Sequence, residues 1–210
     1  MAFTPSDTPV TPARLTPLKL LVAGGFGAGK TTFVGEISEI EPLRTDEALT
    51  TAGEATDSLT GVEAKTTTTV SMDFGRITLP AEHLVLQLFG TPGQERFWFM
   101  WESLAEGAVG AVVLADTRRL PDCFAAVEFF EHDRLPFVVA VNEFEGADRY
   151  SLAAVKDALE LADPDTPVVA CDARDFDSAR QVLITLVAHA YTRHTGSTLP
   201  DTPPRSSLAR

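Results

Sequence analysis

The sequence predicts an α/β fold in three layers, with helices covering both faces of a mostly parallel six-stranded sheet that has one antiparallel edge strand. Three observations predict this fold. An apolar run of strand length at 18–23 leads through a glycine-rich loop into a helical pattern at 31–40. Two strand patterns between 65 and 89 are separated by a short hairpin connection, and apolar strands then alternate with helices up to residue 193.

The glycine-rich loop is the first of the stretches that carry chemistry. It fits the pattern G-x-x-x-x-G-K-[ST], and it stands between a strand and a helix, the context that the pattern requires. Its residues are Gly24, Gly25, Phe26, Gly27, Ala28, Gly29, Lys30 and Thr31, followed by Thr32 in the helix. Glycines let successive backbone N–H groups point at one anion, and the helix dipole favours negative charge there. We expect Lys30 to reach the β- and γ-phosphates and the Thr31 hydroxyl to hold Mg²⁺; the alternative is a tight strand-to-helix turn without a ligand.

The remaining elements follow in order. The periodicity disappears from residue 41 to residue 65, which predicts a long functional or disordered loop. Later patterns predict strands at 65–77, 84–89, 109–115, 136–141 and 167–171, and helices ending at 105 and spanning 121–133, 151–161 and 176–193. One domain at 18–193 is therefore expected, between a flexible Pro-rich tail at 1–17 and a disordered tail at 194–210.

Composition excludes several classes of function. The chain has 210 residues and a formal charge of −13, which argues against a nucleic-acid footprint and against attraction to anionic lipid. No apolar run is long enough to span a bilayer, and we find no signal peptide or lipidation motif, so we expect a cytoplasmic protein without a direct membrane anchor. Cys123 and Cys171 lie in apolar stretches and are interpreted as small core residues, and the four histidines lack metal-ligand spacing.

Five elements in this order make the chain resemble a small Ras-like GTPase over roughly residues 18–193. Within that superfamily it is most similar to prokaryotic members, the gliding-motility type and the actinomycete conservon type. The resemblance implies GTP or GDP as ligand, Mg²⁺ as cofactor and a separately encoded roadblock-type regulator as partner. The phosphate loop is the first of the five elements.

The second and third elements imply the catalytic groups. In the threonine run 66–69, Thr69 stands four residues before Asp73 and is implied to coordinate Mg²⁺ and sense the γ-phosphate, with the other three threonines as alternative registers. The segment 90–94 stands against the family pattern D-x-x-G-Q. Gly93 would donate its N–H to the γ-phosphate and Gln94 would orient the attacking water. Gly90 replaces the usual acid, which leaves the metal's outer shell to water or to another carboxylate.

The fourth and fifth elements imply the base-binding loops. Asn142 matches the pattern N-K-x-D, whereas Glu143 replaces its lysine and Glu145 its aspartate. A carboxylate there pairs with guanine N1–H and N2–H₂ and would be left unpaired by adenine, so Glu145 favours guanine. The longer side chain and the lost lysine predict weaker selection than usual. The last element is a loop resembling S-A-K, in which the Ala173 backbone N–H would bind guanine O6; its members here are Asp172, Ala173 and Arg174.

Two further features bear on rate and partners. Phe26 stands where Ras-like proteins usually have glycine, and a ring there would crowd the γ-phosphate, which predicts slow hydrolysis. The aromatic run 97–101 cannot face one core throughout, so part of it is expected to be exposed as an effector surface, with Phe97, Trp98 and Trp101 as its candidates; the alternative is burial under a neighbouring helix.

Three readings of the function follow from the residues. The first is a GTP-binding switch that hydrolyses GTP, with Arg44 and Arg96 as candidates for an in-chain arginine finger beside one from a partner. The second is a scaffold that binds nucleotide and barely hydrolyses it. The third is a phosphate-loop kinase or ATPase, against which the acidic base loop counts.

Overall fold

The computed structural model describes residues 15–50 and 67–196. Its strands are β1 (Thr16–Gly24), β2 (Leu43–Thr50), β3 (Thr67–Leu79), β4 (Leu84–Gly90), β5 (Ala108–Asp116), β6 (Phe137–Asn142) and β7 (Val168–Cys171). Its α-helices are α1 (Lys30–Ile37), α2 (Trp101–Ala105), α3 (Phe124–His132), α4 (Leu152–Leu159) and α5 (Phe176–Thr195). Short 3₁₀ helices lie at Pro80–Glu82, Glu95–Met100 and Thr117–Cys123.

The strands described form one sheet in the order β2-β3-β4-β1-β5-β6-β7. Five neighbouring strands, from β4 to β7, are parallel, and β3 runs antiparallel to β4. These six strands confirm the predicted sheet. The prediction of a loop from residue 41 onward is wrong for Leu43–Thr50, which pairs with β3 as a seventh strand and takes the edge position. The rest of the predicted loop, 51–65, lies outside the described residues.

Alternating side chains of β1 divide the core into two layers. Leu20 and Val22 pack with apolar residues of α1 and α5, whereas Leu21 and Ala23 pack with residues of α2, α3 and α4. This is the period-two pattern of a strand covered on both faces. Both faces of the sheet are thus covered by helices, as predicted.

Both cysteines are core residues, as the apolar sequence around each predicted. Cys123 and Cys171 are each only 1% exposed. Burial raises the pKa of both thiols to about 12, so neither is a reactive thiolate at neutral pH.

Candidate functional site

The phosphate loop connects β1 to α1 at the carboxyl end of the parallel strands. Gly24 and Gly29 have φ values of 137° and 102°, in the region that glycine adopts readily. A Cβ atom on Gly24 would lie 2.4 Å from the Leu114 carbonyl oxygen, and one on Gly29 would lie 2.5 Å from the Asn142 amide nitrogen. Both positions therefore require glycine for backbone conformation and for space.

Lys30 is the first residue of α1 and lies inside this loop. Its Nζ donates to the carbonyl oxygens of Gly24 at 2.8 Å and Gly25 at 2.7 Å. Burial lowers the pKa of Lys30 to about 8, while the nearby Asp73 carboxylate acts in the opposite direction. No side chain caps the described start of α1 at Gly29, so no capping side chain occupies the first N–H groups of the helix. A cation and uncapped helix amides together suit a polyphosphate.

The hydroxyl of Thr31 donates a hydrogen bond to the Asp73 carboxylate at 2.5 Å. Asp73 lies on β3 and is only 8% exposed. It stands beside Gly90 on the neighbouring strand, where a Cβ atom would lie 3.2 Å from the Asp73 Cβ. The carboxylate missing from position 90 is therefore supplied by the adjacent strand. Sequence reasoning assigned no role to Asp73; the glycine at position 90 indicated that another carboxylate could take the place of the usual acid, but not which one.

A cavity of about 390 Å³ joins this loop to the segment that follows β4. The predicted residues on its wall are Phe26, Gly27, Gly29, Lys30, Thr31, Thr32, Gly93 and Gln94, and the wall also includes Asp73. Gly93 lies against the phosphate loop, since a Cβ there would be 2.6 Å from Lys30 Nζ and 3.0 Å from the Gly24 oxygen. Gln94 is half-buried, and Phe26 is 65% exposed. The structure thus brings Lys30, Thr31, Gly93 and Gln94 into one cavity, whereas Gly24, Gly25 and Ala28 are not on its wall.

The switch threonine and the candidate arginines are only partly described. Thr69 lies in β3, four residues before Asp73 on the same strand, with its backbone opposite Ala48 of β2. Its side chain lies outside the described residues, as do all of Thr66 and the side chains of Arg44 and Arg96. Their roles stay predictions.

Asn142 ends β6 and connects two loops. Its amide nitrogen donates to the Ala28 carbonyl oxygen at 3.0 Å, and its side-chain oxygen accepts from the Ala173 N–H at 3.0 Å. The tie to the phosphate loop is as the sequence implied. The Ala173 N–H, which was expected to be free for a base, is engaged with Asn142 here.

The acidic residues of the base loop lie at the surface. Glu143 pairs with Arg149 at 2.9 Å, and Glu145 is exposed. Arg174 binds both carboxylate oxygens of Asp172 at 2.9 Å, and this hydrogen bonding lowers the pKa of Asp172. Two of the three predicted base-loop residues after β7, Asp172 and Arg174, therefore form a local ion pair, and the third, Ala173, is bound to Asn142.

Two arginines after β5 also contact the site, and the sequence analysis missed them. Arg119 donates from Nη2 to the Phe26 carbonyl oxygen at 2.6 Å. Arg118 binds the buried Asp116 carboxylate through Nε and Nη2, and its guanidinium lies 3.7 Å from the centroid of the Phe144 ring. The 3₁₀ segment 117–123 thus touches both the phosphate loop and the base loop. Only the position after a buried strand could have indicated this role.

The aromatic run splits between core and surface, but not as expected. Phe97 and Trp101 are 6% and 3% exposed, and Trp98 is half-buried. Phe99 is 67% exposed. The prediction of Phe97 and Trp101 as surface residues is wrong. Trp101, the first residue of α2, packs against Phe129 and Phe130 of α3, and Phe97 is buried at the wall of the phosphate-loop cavity.

Comparison with solved structures defines the class of fold. The chain is similar to the G domain of the FeoB iron transporter of T. maritima, with a TM-score of 0.57, 16% identity and coverage of 83% of this chain and 99% of that one. It is also similar to the Arl6 small GTPase of Trypanosoma brucei, solved with the nucleotide analogue GppNp, with a TM-score of 0.58, 15% identity and coverage of 84% and 98%. The chain has the Ras-like, phosphate-loop fold of small GTPases.

Comparison of sequences assigns a family. The chain belongs to a family described as a conserved hypothetical ATP binding protein, whose profile matches residues 22–193. An uncharacterized protein of Methanocaldococcus jannaschii is 26% identical over 62% of this chain and 73% of its own. The Ras-related protein Rab-7b of Homo sapiens is 25% identical over 75% of this chain and 67% of its own. These findings support nucleotide binding.

Among the residues that the structure describes, no helix combines the length and apolarity that a membrane crossing requires.

Proposed function

We propose that this chain is a GTP-binding switch that hydrolyses GTP to GDP with Mg²⁺, slowly and under a roadblock-type regulator, as its resemblance to prokaryotic Ras-like GTPases implies. One observation carries the proposal: Lys30, the Thr31–Asp73 pair, Gly93 and Gln94 line a single cavity at the phosphate loop. Each group suits a part of a nucleotide–metal complex.

Lys30 would bind the polyphosphate. Its ammonium group now donates to two loop carbonyls, and a polyphosphate offers stronger, charged acceptors at the same place. The first amides of α1 would bind the phosphates beside it. Gly93 lies so close to the Lys30 ammonium that a Cβ atom there would be 2.6 Å from it, so a shift of that group on binding would displace the segment of Gly93 and Gln94. The proposed switch is this linkage between the Lys30 ammonium and the segment of Gly93 and Gln94.

Thr31 and Asp73 fit a magnesium ion. Mg²⁺ prefers oxygen ligands and is commonly held by one or two protein groups together with phosphate oxygens and waters. A hydroxyl bonded to a nearly buried carboxylate beside Lys30 supplies such a donor set. When bound, Mg²⁺ would neutralise charge that develops on the phosphates. Thr31 would bind the ion, Asp73 would orient its waters, and Thr69 is proposed as the additional ligand.

Gln94, on the wall of this cavity, would orient the attacking water. Phe26 lines the same cavity and is 65% exposed. A large ring there hinders the approach of water and of an arginine group, which is why we propose slow turnover. A scaffold that binds nucleotide with little hydrolysis remains the second candidate, since Phe26 and Glu143 both favour it.

The family description favours a third candidate, an ATP-binding protein. Glu145 favours guanine, because its carboxylate can accept from two guanine donors that adenine lacks at that edge. The GTP-binding and ATP-binding candidates differ only in the nucleotide base that is bound, since both need the same phosphate loop.

A titration with a fluorescent GDP analogue, competed by GTP, GDP and ATP with and without Mg²⁺, tests the proposal. We expect guanine nucleotides to compete at least about tenfold better than ATP and Mg²⁺ to tighten binding. Lys30→Ala should weaken binding by at least about a hundredfold, since it removes a buried charge contact. Asp73→Asn should remove most of the Mg²⁺ effect.

Lys156→Ala, on the distant helix α4, is the matched control and should bind like the wild type. Undiminished binding by Lys30→Ala would contradict the proposal, and better competition by ATP would favour the third candidate. A single-turnover measurement of GTP hydrolysis separates the switch from the scaffold.

A further inference from the structure

Thr91 follows β4 directly and is almost completely buried. Thr91 is 2% exposed, and its backbone N–H donates to the Val22 carbonyl oxygen at 2.9 Å. Within the described part of the chain, its hydroxyl oxygen has no hydrogen-bond partner. Thr91 lines the same cavity as Lys30, Thr31 and Asp73. A polar atom that is buried and unpaired therefore lies at the wall of the nucleotide site.

Local structure offers this hydroxyl no partner. The preceding residue, Gly90, has no side chain, and the following residue, Pro92, has no N–H. The Pro92 carbonyl oxygen already accepts from the indole nitrogen of Trp101 at 3.2 Å. A buried hydroxyl without a hydrogen bond destabilises a fold, whereas valine would fill the same space without that cost. Packing alone therefore does not account for a hydroxyl at position 91.

The preceding position strengthens this argument. Gly90 leaves no acid on β4, and the carboxylate comes from Asp73 across the strand pair. The wall of the cavity thus contains both the Thr31–Asp73 pair and an unused hydroxyl. A hydroxyl can donate one hydrogen bond and accept others, so it suits an oxygen of a hydrated phosphate–metal complex.

We infer that Thr91 is a positioning residue whose hydroxyl is satisfied only by an oxygen of the bound Mg²⁺–nucleotide complex. The oxygen belongs to a water of the metal or to the terminal phosphate, and both sources share the same chemistry. This inference rests on the proposed function and adds one group to it. It predicts that Thr91 costs stability in the nucleotide-free protein and contributes affinity only when metal and nucleotide are present.

Thr91→Val and Thr91→Ser test the inference by two measurements with opposite expected signs. In nucleotide-free protein, Thr91→Val should melt at the same temperature as the wild type or higher, because it removes an unsatisfied hydroxyl. In the presence of Mg²⁺ it should bind nucleotide about tenfold more weakly, and in EDTA it should bind like the wild type. Thr91→Ser should restore the Mg²⁺-dependent affinity.

The two sources of oxygen are separated by the nucleotide used. A loss of affinity for both Mg²⁺–GDP and a Mg²⁺ complex of a non-hydrolysable GTP analogue assigns the contact to metal-bound water, whereas a loss for the analogue alone assigns it to the terminal phosphate. Thr166→Val replaces another buried threonine, near β7 and outside this cavity, and controls for the general effect of the substitution.

A Thr91→Val protein with lowered melting temperature and unchanged Mg²⁺ dependence would overturn the inference, since Thr91 would then be a structural residue. Equal loss of affinity with and without Mg²⁺ would overturn it as well. Wild-type protein that binds no guanine nucleotide would instead overturn the proposed function, so the two failures are distinguishable.

Discussion

Among the residues of the site, Lys30 has the pKa that is shifted furthest from its ordinary value. Its pKa of about 8 reflects burial in the nucleotide-free loop, which disfavours the ammonium form. A bound polyphosphate would favour that form, so the pKa of Lys30 must rise on binding. Nucleotide binding and proton uptake are therefore linked at this residue.

The linkage predicts a pH dependence of affinity. Below pH 8 Lys30 is already charged, and above it binding must take up a proton, so affinity should fall with rising pH by up to about tenfold per unit. Titrations between about pH 7 and about pH 9, below the ionisation of guanine itself, measure this slope. Lys30→Arg stays charged and should show a flatter profile; equal slopes in both proteins would contradict the assignment.

The stability of the nucleotide-free protein should change in the opposite direction. The folded pKa of Lys30 lies below its unfolded value of 10.5, so the unfolded chain binds more protons between about pH 8 and 10.5. The contribution of Lys30 to the free energy of unfolding therefore rises with pH in that window.

Single residues were predicted from sequence where a motif fixes spacing along the chain. Lys30, Thr31 and Gly93 lie where the spacing placed them, because a strand, a tight loop and a helix leave little freedom. Asp73 and Thr91 were not predicted, because their roles depend on which strand lies next to which and on an unpaired hydroxyl. Neither the neighbouring strand nor the missing hydrogen-bond partner can be deduced from the residues adjacent in sequence.

At the scale of elements, Asn142 holds three segments together. Its side chain joins the end of β6 to the phosphate loop and to the loop before α5. It is 5% exposed, so both partners would lose their hydrogen bond without gaining water. The shape of the nucleotide site thus depends on this amide before any ligand binds.

Asn142→Ala should lower the free energy of unfolding by about 2 to 4 kcal/mol, because it leaves the Ala28 carbonyl and the Ala173 N–H unsatisfied. Denaturant unfolding of the nucleotide-free protein measures the effect. Thr185→Ala on α5 removes an exposed hydroxyl bonded within its own helix and should change stability by less than about 0.5 kcal/mol. A similar small change in Asn142→Ala would show that the amide is dispensable.

The edge strand β2 shows where element prediction fails. Its sequence, LRTDEALT, has no apolar alternation, so periodicity gave no strand signal. What forms the strand is backbone pairing with β3 over eight residue pairs from Leu43↔Phe74 to Thr50↔Thr67. Strands held by a ladder rather than by a buried face are invisible to hydrophobic patterning.

At the scale of the whole molecule, both tryptophans of the chain lie in the segment after Gln94. Trp101 is fixed in the core, with its indole nitrogen on Pro92 and its ring stacked on Phe130 at 6.3 Å. Trp98 is half-buried and contacts Trp101 at 5.6 Å between ring centroids. Intrinsic fluorescence therefore reports on this segment.

Exchange of GDP for a non-hydrolysable GTP analogue should change the fluorescence intensity, because Gly93 has no room for even a Cβ atom beside the ammonium that the phosphates would move. Trp98→Phe should remove most of the change, since the remaining tryptophan is anchored, and Trp101→Phe should keep it. Identical spectra of both nucleotide states in wild-type protein would show that the segment does not respond.

The layered fold was predictable almost completely, because buried parallel strands and amphipathic helices each leave a periodic signal. The base loops were predictable only in part. Asn142 ties the phosphate loop as implied, whereas the ion pair of Asp172 with Arg174 depends on side-chain rotamers at the surface. Guanine selection therefore stays a prediction.

The pairing of Gly90 with Asp73 places a carboxylate on the strand next to the one that carries the acid in the pattern D-x-x-G-Q. A search that demands the acid at one fixed distance from the following glycine would overlook this chain. Exchanging the two residues, by Gly90→Asp together with Asp73→Gly, would return the acid to the usual strand.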